Sequence, residues 1–325
     1  MALIPNVVTH GLMALDVFNK LESSSVQSAI HNYPKSFLLG SNGPDILFYY
    51  KVFPWEDQSQ NKMVADFGQK VHTEHINDFF NYALDFIQKV KDPVRKEILT
   101  SYIAGHFMHW SLDSLAHPFV FYRSDRLEGD TEFDHYRYES MIDSLMVTYY
   151  KKKNLSDLKA KRFVNVSSQE RRIISSFYQT VLQDVFGIKT EAKVINSAIV
   201  SFKNILNFLY DPHNIVTPLI KKMETKPWAF SSHVVNSEID ATYDVLNLKK
   251  EAWSNPTDIS DVSNQSFIEI YEESVDLGVT LVNALDDALS GTRDSFDDLI
   301  QNRQYDTGRE VGLEMKFFNS IYKNK

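Results

Sequence analysis

The chain of 325 residues has no cysteine, which excludes disulfides, thiolate metal sites and cysteine nucleophiles. It also lacks any run of 18 apolar residues, so we expect no transmembrane helix. Residues 1–11 have no basic region and are interrupted by Pro5 and His10. We therefore expect no signal peptide and a cytoplasmic location.

Positive charge is scarce, because the chain has 34 Lys and Arg but 43 Asp and Glu, which gives a net charge of −9. Binding to a nucleic-acid backbone needs a basic surface, so we expect no stable nucleic-acid complex. An enzyme that cuts nucleic acid stays possible, because metal ions can supply positive charge locally. No feature of the sequence indicates an obligate protein partner.

Glycine and proline are scarce, at 11 and 10 residues, and apolar residues recur at helical spacing over 89–117, 167–186, 191–210 and 264–289. The sequence therefore predicts an all-α protein, a multi-helix bundle. Residues 42–45 read as a turn, 124–130 as a loop between two helices, and 253–264 as a connection or exposed loop. We expect the long helix to end at His117, because a residue before proline is biased away from helix.

Histidines and carboxylates are concentrated in the segment 109–139, where His109, Asp113 and His117 follow one another at four-residue steps and His135 precedes Glu139 by four. Side chains four apart share one face of a helix. With His106 included, the first set spans an arc of about 80°. A single such pair is more often a surface hydrogen bond than a ligand pair. Two pairs in tandem favour a metal, because buried imidazoles and carboxylates are costly without a cation, and cysteine-free His and carboxylate sets suit zinc.

Other candidates are weaker when taken alone. His10 is either a ligand or a surface histidine, and Asp45 sits in a turn where an aspartate usually bonds its own backbone. One of His72 and His75 is expected to turn inward. His106 is as consistent with supporting a ligand as with being one. The remaining histidines read as structural or exposed, namely His31, His213 and His233.

Taken together, these residues resemble the zinc-dependent phospholipase C family, which is related in fold to the S1/P1 nucleases. The resemblance covers roughly residues 4 to 145 and rests on the order of His10, Gly43-Pro44-Asp45, His72, His109-xxx-Asp113-xxx-His117 and His135-xxx-Glu139. It implies a bundle of the phospholipase C and P1 nuclease type with additional C-terminal helices. Residues 1–210 would form the metal-binding catalytic domain, and 211–325 a helical extension packed on it.

The resemblance also implies two or three zinc ions. One would be held by Asp45, His72, His109 and Asp113, and a second by His117, His135 and Glu139. The third would take His10 and the other oxygen of Asp113; family members complete that site with an N-terminal Trp that this sequence lacks.

The implied activity is hydrolysis of a phospholipid to diacylglycerol and a phosphorylated headgroup by metal-activated water, with Asp45 as proton acceptor. Ile46 stands where the bacterial enzymes have an aromatic residue that holds choline, so choline preference is not expected.

Two alternatives stay open at this point. A nuclease of the S1/P1 type would need an aromatic platform near the metals, for which Trp110, Tyr49, Tyr50 and Phe53 are candidates. A helical binding protein would use zinc only structurally. For a lipid substrate, residues 47–55 are the candidate for an apolar lip that makes transient contact with a membrane surface, although a buried segment would have the same composition.

Overall fold

The computed structural model describes residues 7–53, 55–125, 129 and 131–323, and for residue 132 the backbone only. The chain is 64% helical, which confirms the all-α prediction. The α-helices are α1 (Val7–Lys20), α2 (Ser25–Asn32), α3 (Pro34–Gly40), α4 (Gln58–Thr73), α5 (Ile76–Lys89), α6 (Pro93–Ser124), α7 (Thr131–Leu145), α8 (Ser168–Asp184), α9 (Ala192–Leu209), α10 (Thr217–Met223), α11 (Phe267–Ser290) and α12 (Asp297–Ile300).

Shorter elements join these helices. Four 3₁₀ helices span Gly43–Tyr49, Leu155–Asp157, Ala160–Val164 and Ser231–His233 in the described chain, and a π-helical turn spans Met146–Tyr150. The strands are β1 (Tyr210–Asp211), β2 (Val235–Asn236), β3 (Trp253–Asn255) and β4 (Asp258–Ser263). β1 pairs with β2 in parallel, and β3 with β4 antiparallel. No helix in the described ranges has the length and apolarity needed to cross a membrane.

The core is built around α6, which is buried along most of its 32 residues and packs against α2, α3 and α11. Apolar side chains surround this helix on every side, as expected of a helix in the centre of a domain. Asp92 caps its first turn, and Pro93 occupies the first position, where its missing N–H costs nothing. A polar face on such a helix therefore lies in the interior and not in solvent.

The expected end of this helix at His117 is wrong, since α6 continues through Pro118 to Ser124. Pro118 has no N–H to donate to the carbonyl of Ser114, one helical turn earlier. Gly308 lies against that carbonyl oxygen. The final turn is held by tertiary packing, with the ring of Phe119 at 5.4 Å from Trp253. Packing thus outweighs the local preference.

The other helix predictions agree with the structure: α8, α9 and α11 fall within or beside the expected segments. α8 and α11 both begin with a capping box, made by Ser167 with Glu170 and by Ser266 with Glu269. The interpretation of 253–264 as a loop was wrong, because β3 and β4 form a hairpin there. Trp253 anchors it by donating from Nε1 to the Gln265 carbonyl at 3.1 Å.

The last part of the chain returns along α6. The backbone N–H groups of Asn319 and Ile321 donate to the carbonyls of Tyr122 and Arg123, at 2.7 and 2.9 Å. Residues 303–309 lie further back along the same helix, beside its polar face. A division of the chain into domains at residue 210 stays a prediction.

Candidate metal centre

The predicted polar face of α6 exists and is buried. His109, Asp113 and His117 point to one side of the helix and are 0, 1 and 7% exposed. Three other segments bring their side chains to this face: α1 with His10, the 3₁₀ helix Gly43–Tyr49 with Asp45, and α4 with His72. α7 adds His135 and Glu139. All eight residues predicted as ligands therefore form one connected cluster of buried side chains, hereafter the pocket.

Asp113 lies at the centre of this pocket. Its Oδ1 is 3.1 Å from His10 Nε2 and 3.5 Å from His117 Nε2, while its Oδ2 is 3.0 Å from His109 Nε2. The two carboxylate oxygens thus face different imidazoles. His10, His109 and Asp113 each place a ligand atom within 4.8 Å of the others.

A second triad shares His109. Asp45 Oδ1 lies 3.0 Å from His72 Nε2 and 3.7 Å from His109 Nε2, and the three ligand atoms are within 4.8 Å of one another. The predicted turn at 42–45 is the start of the 3₁₀ helix that carries Asp45. Gly43 there has φ +43° and lies directly against the His109 ring, so the turn sets the distance between Asp45 and α6.

The remaining set meets at Glu139. Its Oε1 is 3.4 Å from His135 Nε2 and 3.7 Å from His117 Nε2. Asp143, one turn further along α7, accepts hydrogen bonds from the backbone of Val8 and Thr9 at 3.1 and 2.8 Å. This carboxylate joins α7 to the first turn of α1, and so it fixes His10 relative to Glu139.

Several buried atoms in the pocket have no hydrogen-bond partner among the described residues. These are Asp45 Oδ1, His109 Nε2, Asp113 Oδ1, both carboxylate oxygens of Glu139, and the Nδ1 atoms of His10, His109 and His117. A buried carboxylate oxygen without a partner is costly, and a cation at that position would remove the cost. The donor set of imidazole nitrogens and carboxylate oxygens therefore fits zinc.

Burial and neighbouring charges shift the pKa values of several of these side chains. Burial lowers the pKa of His109 well below its usual range, and neighbouring His10 and His72 lower it further. Burial alone would lower the pKa of His117 too, but Asp113 and Asp306 raise it well above the usual value. His135 and His117 outweigh burial at Glu139 and lower its pKa to about 2. Protons and a metal ion would compete for the same imidazole nitrogens.

The other histidines behave as the sequence predicts. His72 turns inward while His75 stays exposed and contacts Asp78. His106, for which the sequence leaves both roles open, is buried, and its Nε2 lies 2.9 Å from the Tyr305 hydroxyl. The remaining three are structural or exposed, since His31 and His213 are exposed and His233 is buried.

Sequence reasoning missed two residues near the pocket, Tyr305 and Asp306. Asp306 Oδ1 lies 3.6 Å from His117 Nδ1. No spacing connects a residue near position 300 with a helix that ends at 124, so no signal in the sequence points to it. Asp143, by contrast, continues the four-residue steps of His135 and Glu139 and could have been found.

Two of the four aromatic candidates for a base-stacking platform, Trp110 and Tyr49, do not suit that role, whereas Tyr50 and Phe53 are half-buried. Trp110 and Tyr49 are fully buried; Trp110 donates from Nε1 to the Arg303 carbonyl at 2.9 Å, and Tyr49 stacks on Phe202. Half of the described residues in the proposed lip at 47–55 are core as well, because Leu47, Phe48, Tyr49 and Val52 are buried. Trp55 is 79% exposed, and Pro54 lies outside the described residues.

Comparison with known proteins gives one finding. A family model described as zinc dependent phospholipase C matches residues 9–186, which is more than half of the chain and includes all eight predicted ligands. No curated protein and no solved structure gave a significant match. The chain therefore belongs to the zinc-dependent phospholipase C family.

Proposed function

We propose that this protein is a zinc-dependent phosphodiester hydrolase that cleaves a phospholipid into diacylglycerol and a phosphorylated headgroup. The observation that carries the proposal is the convergence of five imidazoles and three carboxylates in one buried pocket of a chain from this family. A purely structural zinc ion needs only four ligands. Eight donors around two or three ions leave coordination positions for water and substrate.

We allocate the ligands as the family resemblance implies, and the distances support this allocation. Asp45, His72 and His109, with Oδ2 of Asp113, would hold one zinc. A second set is His117, His135 and Glu139, whose ligand atoms meet at Oε1 of Glu139. His10 and Oδ1 of Asp113 would hold a third ion, so that Asp113 bridges two positions.

Zinc in these positions would supply a Lewis acid that lowers the pKa of water and neutralises charge on the phosphate. The protein supplies the base. Asp45 is 7% exposed and belongs to the triad with His72 and His109, and burial raises the pKa of its carboxyl group. A carboxylate beside the proposed ions is placed to accept a proton from the attacking water.

A cavity of about 400 Å³ lies beside the pocket. Phe121 lines it and also stands 4.5 Å from the His135 ring, which places the cavity next to the ligands. Leu313, Met315 and Phe318 add apolar surface to its lining. An apolar wall next to a phosphate-binding centre suits a lipid, and the exposed Leu313 offers a point of transient contact with a membrane surface.

The same cavity disfavours a nuclease. Asp306 and Glu314 are the charged residues that line it, and the described lining contains no Lys or Arg. A strand of nucleic acid carries a phosphate on every nucleotide and binds through cationic side chains. Two carboxylates beside the reaction centre would repel the neighbouring phosphates.

The test compares a short-chain phosphatidylcholine, a short-chain phosphatidylethanolamine and single-stranded DNA as substrates of the zinc-loaded protein, with zinc per chain measured on the same samples. We expect two or three zinc ions and release of diacylglycerol from at least one lipid. The exposed Asp66→Asn variant on α4 should match the wild type, whereas Asp45→Asn should lose most of the activity. Cleavage of DNA but neither lipid would contradict the proposal, and so would a protein that binds no zinc.

A further inference from the structure

Residues 303–309, hereafter the C-terminal hook, lie across the polar face of α6. The Arg303 carbonyl accepts from Trp110 Nε1, and the backbone N–H of Tyr305 donates to the His72 carbonyl at 3.1 Å. The Tyr305 hydroxyl meets His106. The hook is thus fixed to two helices that carry predicted ligands, and it holds the residue that follows Tyr305 in a defined place.

That residue is Asp306, whose side chain is 17% exposed. Oδ1 lies 3.6 Å from His117 Nδ1, and Oδ2 accepts a hydrogen bond from Gln69 Nε2 at 3.0 Å. His117 therefore has carboxylates on both sides. Its Nε2 faces Asp113 and Glu139 inside the pocket, and its Nδ1 faces Asp306 outside it.

Two other histidines of the pocket hold a polar partner at Nδ1, at shorter distances than the 3.6 Å between His117 Nδ1 and Asp306 Oδ1. His72 turns Nε2 to Asp45 and bonds the Gly68 carbonyl through Nδ1 at 2.8 Å. His135 turns Nε2 to Glu139 and bonds Ser124 through Nδ1 at 3.0 Å. A histidine that binds a metal through one nitrogen commonly gives its other N–H to such a partner, which fixes the tautomer and the ring orientation.

We propose that Asp306 is a positioning residue of the metal centre, the outer carboxylate that keeps His117 with its proton on Nδ1 and its Nε2 directed at the ion. The proposal rests on the proposed function, because it requires an ion at His117, His135 and Glu139. Asp306 lies outside residues 9–186, so membership of the family does not assign this role. The C-terminal hook would then complete a site whose ligands all come from the first 140 residues.

The contact acts on one ion more than on the others. Asp306 faces His117, whereas the triad of Asp45, His72 and His109 has its own outer partner at Gly68. Loss of an outer partner commonly weakens metal binding by about 10- to 100-fold. We therefore expect an Asp306 variant to lose one ion selectively.

The experiment measures zinc bound per chain as a zinc chelator is titrated into the full-length protein. Asp306→Asn keeps the size of the side chain and removes its charge, and the exposed Asp294→Asn on a nearby loop is the matched control. We expect Asp306→Asn to release one zinc at about 10- to 100-fold lower chelator concentration while the other ions stay. Cobalt substitution should show an altered visible spectrum for that ion only. Asp294→Asn should match the wild type in both measurements.

A second variant tests the same contact from the other side. Gln69→Ala removes the hydrogen bond to Asp306 from an exposed position on α4, where folding should not suffer. The same ion should then bind a few-fold more weakly. Equal zinc affinity in wild type, Asp306→Asn and Gln69→Ala would overturn the inference and leave the proposed function standing, and so would equal weakening at every ion. A wild-type protein without zinc would refute both.

Discussion

Gly43 is the position where one methyl group should disable the metal centre. It has φ +43°, a backbone conformation that costs an L-residue about 1–2 kcal/mol. A Cβ at this position would lie 2.1 Å from Cδ2 and 2.6 Å from Cγ of His109. Carbon atoms in contact prefer about 3.5–4.0 Å, so the imidazole would have to move by about 1.5 Å.

The ring has little room for such a movement. His109 is fully buried, with the ring of His10 at 4.5 Å and that of Tyr305 at 5.6 Å. Overpacking of this kind costs about 1–3 kcal/mol, which brings the expected loss for Gly43→Ala to about 2–5 kcal/mol. Zinc–nitrogen bonds tolerate about 0.2 Å, so a displaced His109 should also cost at least one zinc ion.

Gly187→Ala is the matched control, because Gly187 has φ +67° and no atom within 4 Å of the new Cβ. Gly187→Ala should lose only the free energy of unfolding that the backbone strain costs, and it should keep its full zinc content. The assays are urea unfolding in the presence of a chelator and zinc per chain after reconstitution. If the two variants lose the same free energy of unfolding and both keep all their zinc, the steric reasoning is refuted.

Three further predictions concern other parts of the pocket. Asp113→Asn should lose bound zinc and activity together, since both carboxylate oxygens face imidazoles; zinc retained in full on elemental analysis would contradict a bridging role. Asp143→Ala should flatten the pH dependence of stability in the zinc-free protein. Burial raises the pKa of Asp143 to about 6 from 3.8, so its contribution is greatest below pH 4 and falls as the pH rises towards 6. The wild type's advantage over the variant in urea unfolding should thus shrink by about 2 kcal/mol between pH 4 and pH 7, and a constant difference would contradict this. Gly308→Ala should displace the C-terminal hook, because a Cβ there would meet the Ser114 carbonyl oxygen at 2.1 Å, whereas Gly312→Ala has open space around it. Hydrogen exchange over 303–309 should rise in the first variant only, and equal exchange in both would count against the close contact.

The long helices and the ligand string could be predicted from local sequence. Helical spacing of apolar residues identified α8, α9 and α11, and four-residue steps placed His109, Asp113 and His117 on one buried face of α6. These features depend on the geometry of a single helix, which neighbouring residues in the chain determine. The order of the ligand motifs was also sufficient to identify the family.

The segments whose form depends on distant contacts were predicted wrongly or missed. The helix continues past Pro118 because Phe119 packs on Trp253, and residues 253–263 form a hairpin whose Trp253 is half of the same contact. Aromatic residues at 49 and 110 could equally have lined a cleft, and only burial shows that they belong to the core.

The sequence alone determined which residues can share a helix face, because a helix repeats every 3.6 residues wherever it stands. Only the tertiary structure decided that His10 faces Asp113, that Asp45 faces His109, and that Asp306 reaches His117 from 189 positions along the chain. Contacts of that kind depend on how helices pack and where connections return. Neither the packing of helices nor the path of a connection produces a repeating pattern of residues in the sequence.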